Sequence, residues 1–294
     1  MLNDGNSSAG RPASLDRRNV LRTTGASAVA VTALAAAGVA SMAQPAEAQS
    51  VNDAAVLNFA LNLEYLEAEF YMRAFTGVGL TSADTSGPGY ANSVIGGAKV
   101  NFATPAIQQY AAEIAQDELN HVRFLRKGLG GAAVGEPAID LANSFIALGN
   151  LIGVSNFNPF ADENSFLLGA YVFEDVGVTA YHGAAALLQN KQILTAAAGI
   201  LAVEAYHASE IRTILFSRGF GSTTVKISNV RASLSGAADD QGVINADGTA
   251  NIVPSDSNAL AFTRTPRQVL NIVYGAQNAT GGLFFPAGMN GAVK

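Results

Sequence analysis

Cysteine and tryptophan are both absent from the 294 residues of this chain, and only three residues are histidine. Without cysteine the chain cannot form a disulfide, supply a thiol nucleophile or bind a metal through thiolate sulfur. Any metal ion would therefore have to be held by carboxylate and imidazole groups. Charged residues are also scarce, at 14% of the sequence, whereas 49% of the residues are hydrophobic. This balance excludes a highly charged, disordered chain and is ample for one substantial core.

The charge distribution argues against two classes of partner. The formal net charge is -6 at pH 7, and the sequence shows no basic tract, internal repeat or heptad array. Nucleic acids and anionic membrane surfaces attract basic proteins. We therefore expect no nucleic-acid partner.

The first 48 residues are predicted to be an export signal and not part of the fold. Arg17 and Arg18 precede an alanine-rich apolar stretch, which ends in the small-x-small cleavage pattern Ala46-Glu47-Ala48. A transmembrane anchor is the alternative, but the stretch is weakly hydrophobic and contains glycine. The pattern favours a twin-arginine signal over residues 1–48. It predicts a periplasmic or secreted protein with no stable membrane anchor after cleavage.

Residues 49–219 are predicted to form an all-α bundle. Four segments of helical length follow one another, at 52–75, 104–130, 164–190 and 191–219. The first two carry apolar residues at three- and four-residue spacing, and the last two are apolar on most of their circumference, as expected for helices buried on several sides. The connection over 131–163 is long enough to run the length of a bundle. We therefore predict a four-helix bundle with one long crossover.

The remainder of the chain divides into two parts. Residues 220–264 are rich in Ser, Gly, Asp and Asn, with short Val/Ile runs such as TTVKISNV, and predict an irregular appendage with a hairpin. Residues 265–294 are predicted to hold a short fifth helix over 265–276 and a tail. Thr265 and Gln268 have capping-box spacing, Pro266 occupies the first helical position, and Gly275 ends the helix.

Two of the three histidines follow a glutamate by three positions, in Glu118-x-x-His121 and Glu204-x-x-His207. On a helix, positions three apart share a face, so each pair projects a carboxylate and an imidazole toward one point. The flanking residues are apolar, which favours a buried site over an exposed helix face. His182 has no such carboxylate and is predicted not to be a ligand.

The other two helices each carry a glutamate in an apolar setting, Glu64 and Glu174. One Glu from each of two helices and Glu-x-x-His from each of the other two is the ligand pattern of di-iron and di-manganese carboxylate bundles. Two divalent cations would balance these four carboxylates, with both imidazoles neutral. Iron or manganese suits this set, and zinc is also compatible with it. Glu67 and Glu69 are alternatives to Glu64 as the ligand from this helix, and Glu67 is also a candidate for an additional ligand.

The aspartates that adjoin two of these glutamates are predicted to play no direct part. Asp117 and Asp175 each follow or precede a candidate ligand by one position, so their side chains point about 100° away from it. They are expected to face solvent or to contact a ligating histidine.

The order of these residues, with Tyr71 seven positions after Glu64, resembles the ferritin-like superfamily of bacterioferritins, rubrerythrins and manganese catalases. NFALNLEYLEAEFY, VFEDVGVTAYHGAA, TPRQVLNIVYG and GGLFFPAGMNG are similar to an exported bacterial branch related to plant desiccation-related proteins. The resemblance covers about 52–217 and 265–291. It implies a ferritin-like four-helix bundle.

The resemblance also implies roles for the candidate ligands. Glu118 and Glu204 would bridge or lie close to both metals, Glu64 and Glu174 would be terminal ligands, and each histidine would bind one metal. Two divalent iron or manganese ions are the implied cofactor, with O2 or H2O2 as the reaction partner.

The leading functional hypothesis is an exported dinuclear metal protein that handles oxygen or peroxide, as a ferroxidase or a manganese catalase does. Two alternatives stay open. One is iron storage in a cage, and the other is a stress-protective scaffold in which the metals only stabilise the fold. The aromatic and glycine-rich GGLFFPAGMNG suggests either a packed tail or a contact in a homo-oligomer.

Overall fold

The computed structural model describes residues 52–294, so the predicted export signal over 1–48 lies outside the described residues. None of the helices in this part of the chain is long and apolar enough to cross a membrane. In chain order the elements are α1 (Asp53–Thr76), α2 (Ser82–Thr85), β1 (Val94–Ile95), α3 (Pro105–Leu129), a 3-10 turn (Gly130–Ala132), β2 (Ile139–Asp140), α4 (Asn143–Ile152), α5 (Glu163–Ala185), α6 (Lys191–Ser217), α7 (Gly221–Ser235) and α8 (Pro266–Tyr274). The prediction of an all-α fold is confirmed.

The ends of the four long helices are determined by local sequence. The side chains of Asn52, Asp162 and Asn190 accept hydrogen bonds from free backbone N–H groups in the first turns of α1, α5 and α6. Pro105 begins α3, where its missing N–H removes no helical hydrogen bond. Gly77 ends α1 in the left-handed conformation, with φ of 90°.

The long helices pack as two pairs, α1 with α3 and α5 with α6. Asn58 of α1 donates to the Ala132 carbonyl at 2.9 Å, and Arg126 of α3 donates to the Tyr65 hydroxyl at 2.5 Å, so α1 and α3 run antiparallel. The short segment 186–190 joins α5 directly to α6, which makes this pair antiparallel as predicted. The side chains between the two pairs form the core.

The crossover from α3 to α5 is more ordered than its sequence predicts. It contains β2, which pairs in parallel with β1 in the register Val94 to Ile139, and the ten-residue helix α4. Asp140, at the end of β2, supports the turn into α4, because its Oδ1 accepts hydrogen bonds from the backbone N–H groups of Ala142 and Asn143 at 2.9 and 2.8 Å.

The prediction that 220–264 is irregular is wrong for its first third, where α7 forms. The TTVKISNV run is part of this helix and not of a hairpin. Its buried face is mostly polar, with Thr224, Ser228 and Arg231 beside Ile227, so no apolar face in the sequence marks a helix that packs on the bundle. Contacts with the bundle stabilise it instead, through the fully buried Ile227 and Arg231.

α6 is also less enclosed than its sequence predicts. Its inner face is buried, but Tyr206 on the outer face is 76% exposed. The apolar outer residues of α6 are mostly alanine and glycine, whose exposure costs little.

The C-terminal residues return to the bundle. Thr265 and Gln268 form the predicted capping box of α8, and Gly275 follows the helix with φ of 74°. Asn62 of α1 exchanges two hydrogen bonds of 2.9 Å with the backbone of Asn290. Phe284 and Phe285 of GGLFFPAGMNG are buried in the core, so this segment is a packed tail.

Candidate metal centre

The structure brings all six predicted ligands together at the centre of the bundle. None of their side chains is more than a tenth exposed. They come from all four long helices: Glu64 from α1, Glu118 and His121 from α3, Glu174 from α5, and Glu204 and His207 from α6. Their ligand atoms form two groups that could each hold a metal ion, and Glu118 belongs to both. That they bind metal stays a prediction.

The first group surrounds Nδ1 of His121. Glu64 Oε2 lies 3.2 Å from this nitrogen, Glu118 Oε2 lies 3.3 Å from it, and Glu204 Oε1 lies 3.6 Å from it. The second group surrounds Nδ1 of His207, with Glu118 Oε1 at 3.1 Å and Glu174 Oε2 at 3.5 Å. The two oxygens of Glu118 therefore face different histidines, as a bridging carboxylate requires.

Three polar side chains fix the orientation of the cluster. The hydroxyl of Tyr71 donates to Glu174, and that of Tyr181 donates to Glu64. Asp117 Oδ2 lies 3.3 Å from Nε2 of His207, which leaves Nδ1 of this ring facing the carboxylates. Asp117 thus contacts a histidine, one of the two outcomes expected for it.

Glu67 and Glu69, the alternatives to Glu64, do not take its place in the two ligand groups. Glu69 points away from the cluster, where it pairs with Arg73 at 2.5 Å and accepts from the Leu80 N–H at 2.7 Å. Glu67 is buried beside the cluster, and the pKa of its carboxyl is raised well above 4.5 by burial and then by Glu118 and other neighbouring carboxylates. Glu67 is therefore a fifth carboxylate of the same cavity.

Gly177 of α5 makes room for this arrangement. A Cβ at position 177 would lie 3.0 Å from the carboxylate carbon of Glu204, closer still to its Oε2, and 3.5 Å from Glu67 Oε1. Contacts below 3.4 Å are tighter than nearly all real Cβ contacts. Any side chain at this position would displace the Glu204 carboxylate, a constraint that no sequence motif indicates.

The pKa values reflect buried charges that compensate one another. Burial opposes protonation of His121 and His207, but the carboxylates outweigh it, led by Glu64 at His121 and by Glu174 at His207, and raise both pKa values to about 12. Burial raises the pKa of Glu64 to about 7, although His121 acts in the opposite direction. At Glu118 burial is outweighed by the neighbouring imidazoles of His121 and His207, which lower its pKa. Without metal, the imidazoles thus carry the positive charge of the cluster.

Several buried polar atoms of the cluster have no hydrogen-bond partner among the described residues. They are Glu118 Oε1, Glu174 Oε2, both oxygens of Glu204, and His207 Nδ1. Unpartnered buried polar atoms cost about 1–3 kcal/mol each and are rare in native proteins. All of these atoms point into the cluster, and oxygen with imidazole nitrogen is a suitable donor set for divalent iron or manganese. The residues present therefore fit a dinuclear metal centre.

A second buried ionic cluster lies near the candidate metal centre, and it was not predicted from the sequence. Asp175 is buried and not solvent-facing, because its Oδ2 accepts from both Arg212 and Arg231 at 2.8 Å. Asp240 joins Arg231 to Arg264, with ion pairs of 2.8 and 2.7 Å. These charges come from α5, α6, α7 and the segment before α8, so no local spacing could reveal them. His182 lies outside both clusters, with Nδ1 3.0 Å from the Phe262 carbonyl.

Comparison with known proteins gives matches to one family and two curated relatives. The model of the ferritin-like domain family matches residues 52–217. Desiccation-related protein PCC13-62 of Craterostigma plantagineum is 33% identical over 243 residues, which cover 74% of this chain and 76% of the relative. Ferritin-like catalase Nec2 of Nesocodon mauritianus is 30% identical over 271 residues, which cover 82% of this chain and 84% of the relative. No solved structure matches the chain significantly.

Proposed function

Because this chain belongs to the ferritin-like domain family, we propose that it is an exported dinuclear metal protein that handles hydrogen peroxide or dioxygen. The observation that carries the proposal is the pair of carboxylate–histidine groups joined by Glu118. Similarity to a protein named as a ferritin-like catalase favours peroxide as the substrate.

The charge of the cluster supports two divalent ions. Glu64, Glu118, Glu174 and Glu204 carry four negative charges when ionised, and burying even one uncompensated charge costs several kcal/mol. Two divalent cations would balance the four carboxylates, and the Nδ1 atoms of the neutral histidines would help to hold them. A pair of iron or manganese ions would supply reversible electron transfer to and from O2 or H2O2.

The chain's own residues hold and enclose such a centre. Glu118 presents one oxygen to each half, so it would keep the two ions close together. The hydroxyls of Tyr71 and Tyr181 hold Glu174 and Glu64 in place, and Asp117 fixes the ring of His207. Burial of the ligands limits access of bulk water, which favours small reactants over large ones.

Export is supported by the sequence of residues 1–48, with Arg17, Arg18 and the pattern ending at Ala48. A twin-arginine signal would direct the protein to the periplasm or the medium. There a peroxide-consuming protein would act on oxidants from outside the cytoplasm, in oxidative or desiccation stress.

Elemental analysis by plasma mass spectrometry tests the metal centre. Mature protein should contain about two iron or manganese ions per chain, and a Glu204→Ala/His207→Ala double variant should lose them. Glu113→Ala, which removes an exposed glutamate of α3, is the matched control and should keep them. A folded wild-type protein free of metal after expression with iron and manganese would contradict the proposal.

Oxygen evolution from hydrogen peroxide tests the reaction. The metal-loaded wild type should evolve O2, and Glu204→Ala should be much slower. Equal rates for the two proteins would show that the cluster does not catalyse the disproportionation.

A second candidate function is favoured by the similarity to a desiccation-related protein, which is 33% identical. In this case the bundle would protect other structures during drying, and the metals would only stabilise the fold. Removal of the metals would then lower the melting temperature, while no turnover of peroxide or dioxygen would be observed.

A further inference from the structure

A cavity of about 220 Å³ lies between the four long helices, beside the metal centre. Each helix contributes to its wall: Leu57 from α1, Leu125 from α3, Tyr181 from α5, and Ile193 and Ile200 from α6. Pockets between the helices of a bundle are common ligand sites. This cavity is separate from the carboxylate–histidine cluster, because none of the six candidate ligands lines it.

The wall of the cavity is almost wholly apolar. Apart from the Gln192 side chain and the Tyr181 phenol, the side chains that line it are aliphatic or, at Phe124, aromatic. Hydrogen peroxide and other small polar molecules would lose hydrogen bonds with water there and gain few in return. The cavity therefore favours an uncharged, apolar ligand.

The volume of the cavity and the aromatic rings that line it limit the size and the shape of the ligand. An apolar cavity of about 150 Å³ in a helical protein is large enough to bind benzene, whereas drug-sized ligands need about 300 Å³ or more. Phe124 is 52% exposed at the surface, while Tyr181 is 5% exposed and lies deep. A flat ring that enters past Phe124 can contact the ring of Tyr181 edge to face, an arrangement that aromatic pairs prefer.

Tyr181 connects the cavity to the metal centre. Its ring lines the cavity, and its hydroxyl donates a hydrogen bond to Glu64. A molecule in the cavity is thus separated from a candidate metal ligand by one phenol ring. We infer that the cavity is a binding site for a small single-ring aromatic molecule, which contacts the metal centre through Tyr181. The inference concerns binding alone and does not depend on the reaction proposed above.

Fluorobenzene is a suitable probe, because its ¹⁹F resonance broadens and shifts on binding to protein. The purified protein should bind it saturably. Ala196 lines the cavity and is half-buried, so Ala196→Phe should fill the space and abolish binding. Ala198→Phe is the matched control, since Ala198 is exposed on the same helix outside the cavity and should leave binding unchanged.

A variant that enlarges the cavity tests the same inference in the opposite direction. Ile200→Ala removes three carbon atoms from the wall and should admit 1-fluoronaphthalene, which the wild type should exclude. Circular dichroism establishes that each variant is folded. No saturable binding of fluorobenzene to the wild type would overturn the inference. Undiminished binding to folded Ala196→Phe would also overturn it, and if that variant does not fold, exclusion of 1-fluoronaphthalene by Ile200→Ala would do so.

Discussion

Gly177 offers a test of the metal centre that leaves every candidate ligand in place. In a helix interior, replacing glycine with alanine normally adds about 1 kcal/mol of stability. At position 177 the new methyl group would lie 3.0 Å from the carboxylate carbon of Glu204, inside the 3.4 Å at which ordinary contact begins. The Glu204 carboxylate must therefore move by several tenths of an ångström or more. Metal–ligand distances tolerate about 0.2 Å.

Gly177→Ala should consequently leave the fold nearly intact and weaken metal binding. Overpacking costs about 1–3 kcal/mol, which the gain in helix propensity partly offsets. Changes in groups that support metal ligands typically cost about 10- to 100-fold in affinity, and we expect a loss of this size. Competition with a chromophoric chelator measures the affinity, and urea denaturation measures the stability.

Gly199→Ala is the control, because a Cβ at position 199 of α6 would meet no atom within 4 Å. It should gain about 1 kcal/mol of stability from helix propensity and bind metal as the wild type does. If Gly177→Ala keeps wild-type affinity, Glu204 does not need its observed position to bind metal, and the reasoning from geometry fails.

Two further predictions concern pH and buried charge. In the metal-free protein the pKa of Glu64 is raised from 4.5 to about 7, and those of His121 and His207 are raised from 6.5 to about 12. The stability that depends on protonation of these groups is therefore lost as pH rises, between 4.5 and about 7 for Glu64 and between 6.5 and about 12 for the histidines. Bound metal replaces these protons, so chelation should lower the melting temperature more at pH 8 than at pH 5; an equal or smaller effect at pH 8 would contradict this. Arg231→Met should cost about 3–5 kcal/mol in urea denaturation because it removes one of the two buried guanidinium partners of both Asp175 and Asp240. Arg123→Met, at a 52% exposed side chain, should cost less than about 1 kcal/mol. Similar losses for the two variants would refute the burial argument.

The grouping of the candidate ligands could be predicted from sequence because much of their spacing is local. Glu118-x-x-His121 and Glu204-x-x-His207 each lie within one turn of helix, so the helix itself brings carboxylate and imidazole together. Glu64 and Glu174 were found by their apolar surroundings and by resemblance to the family. The long helices followed from apolar spacing, and the structure adds the side-chain caps Asn52 and Asp162 at the starts of α1 and α5.

The features that were missed depend on contacts between distant parts of the chain. The buried face of α7 is mostly polar, and the helix is held by Arg231 and Ile227, which are buried against the bundle. Asp175 lies next to a candidate ligand and was expected to face solvent or to contact a histidine, yet its partners Arg212 and Arg231 lie 37 and 56 residues away. Gly177 is required by the position of Glu204 on another helix. Such requirements arise only once the helices are packed.

Residues 218–294 are part of the same structural unit as the candidate metal centre. Arg212 of α6 donates to Asp175 of α5 and to the carbonyls of Gln241, Gly242, Asn251 and Ile252. Glu174 and Asp175 are consecutive on α5. The contacts that fix the direction of the Asp175 side chain therefore also fix the rotation of α5 that points Glu174 toward the other candidate ligands. A chain ending near residue 217, where the family match ends, would leave the buried guanidinium of Arg212 without four of these five acceptors. The helices that bear the candidate ligands therefore owe part of their fixed orientation to residues outside the family match.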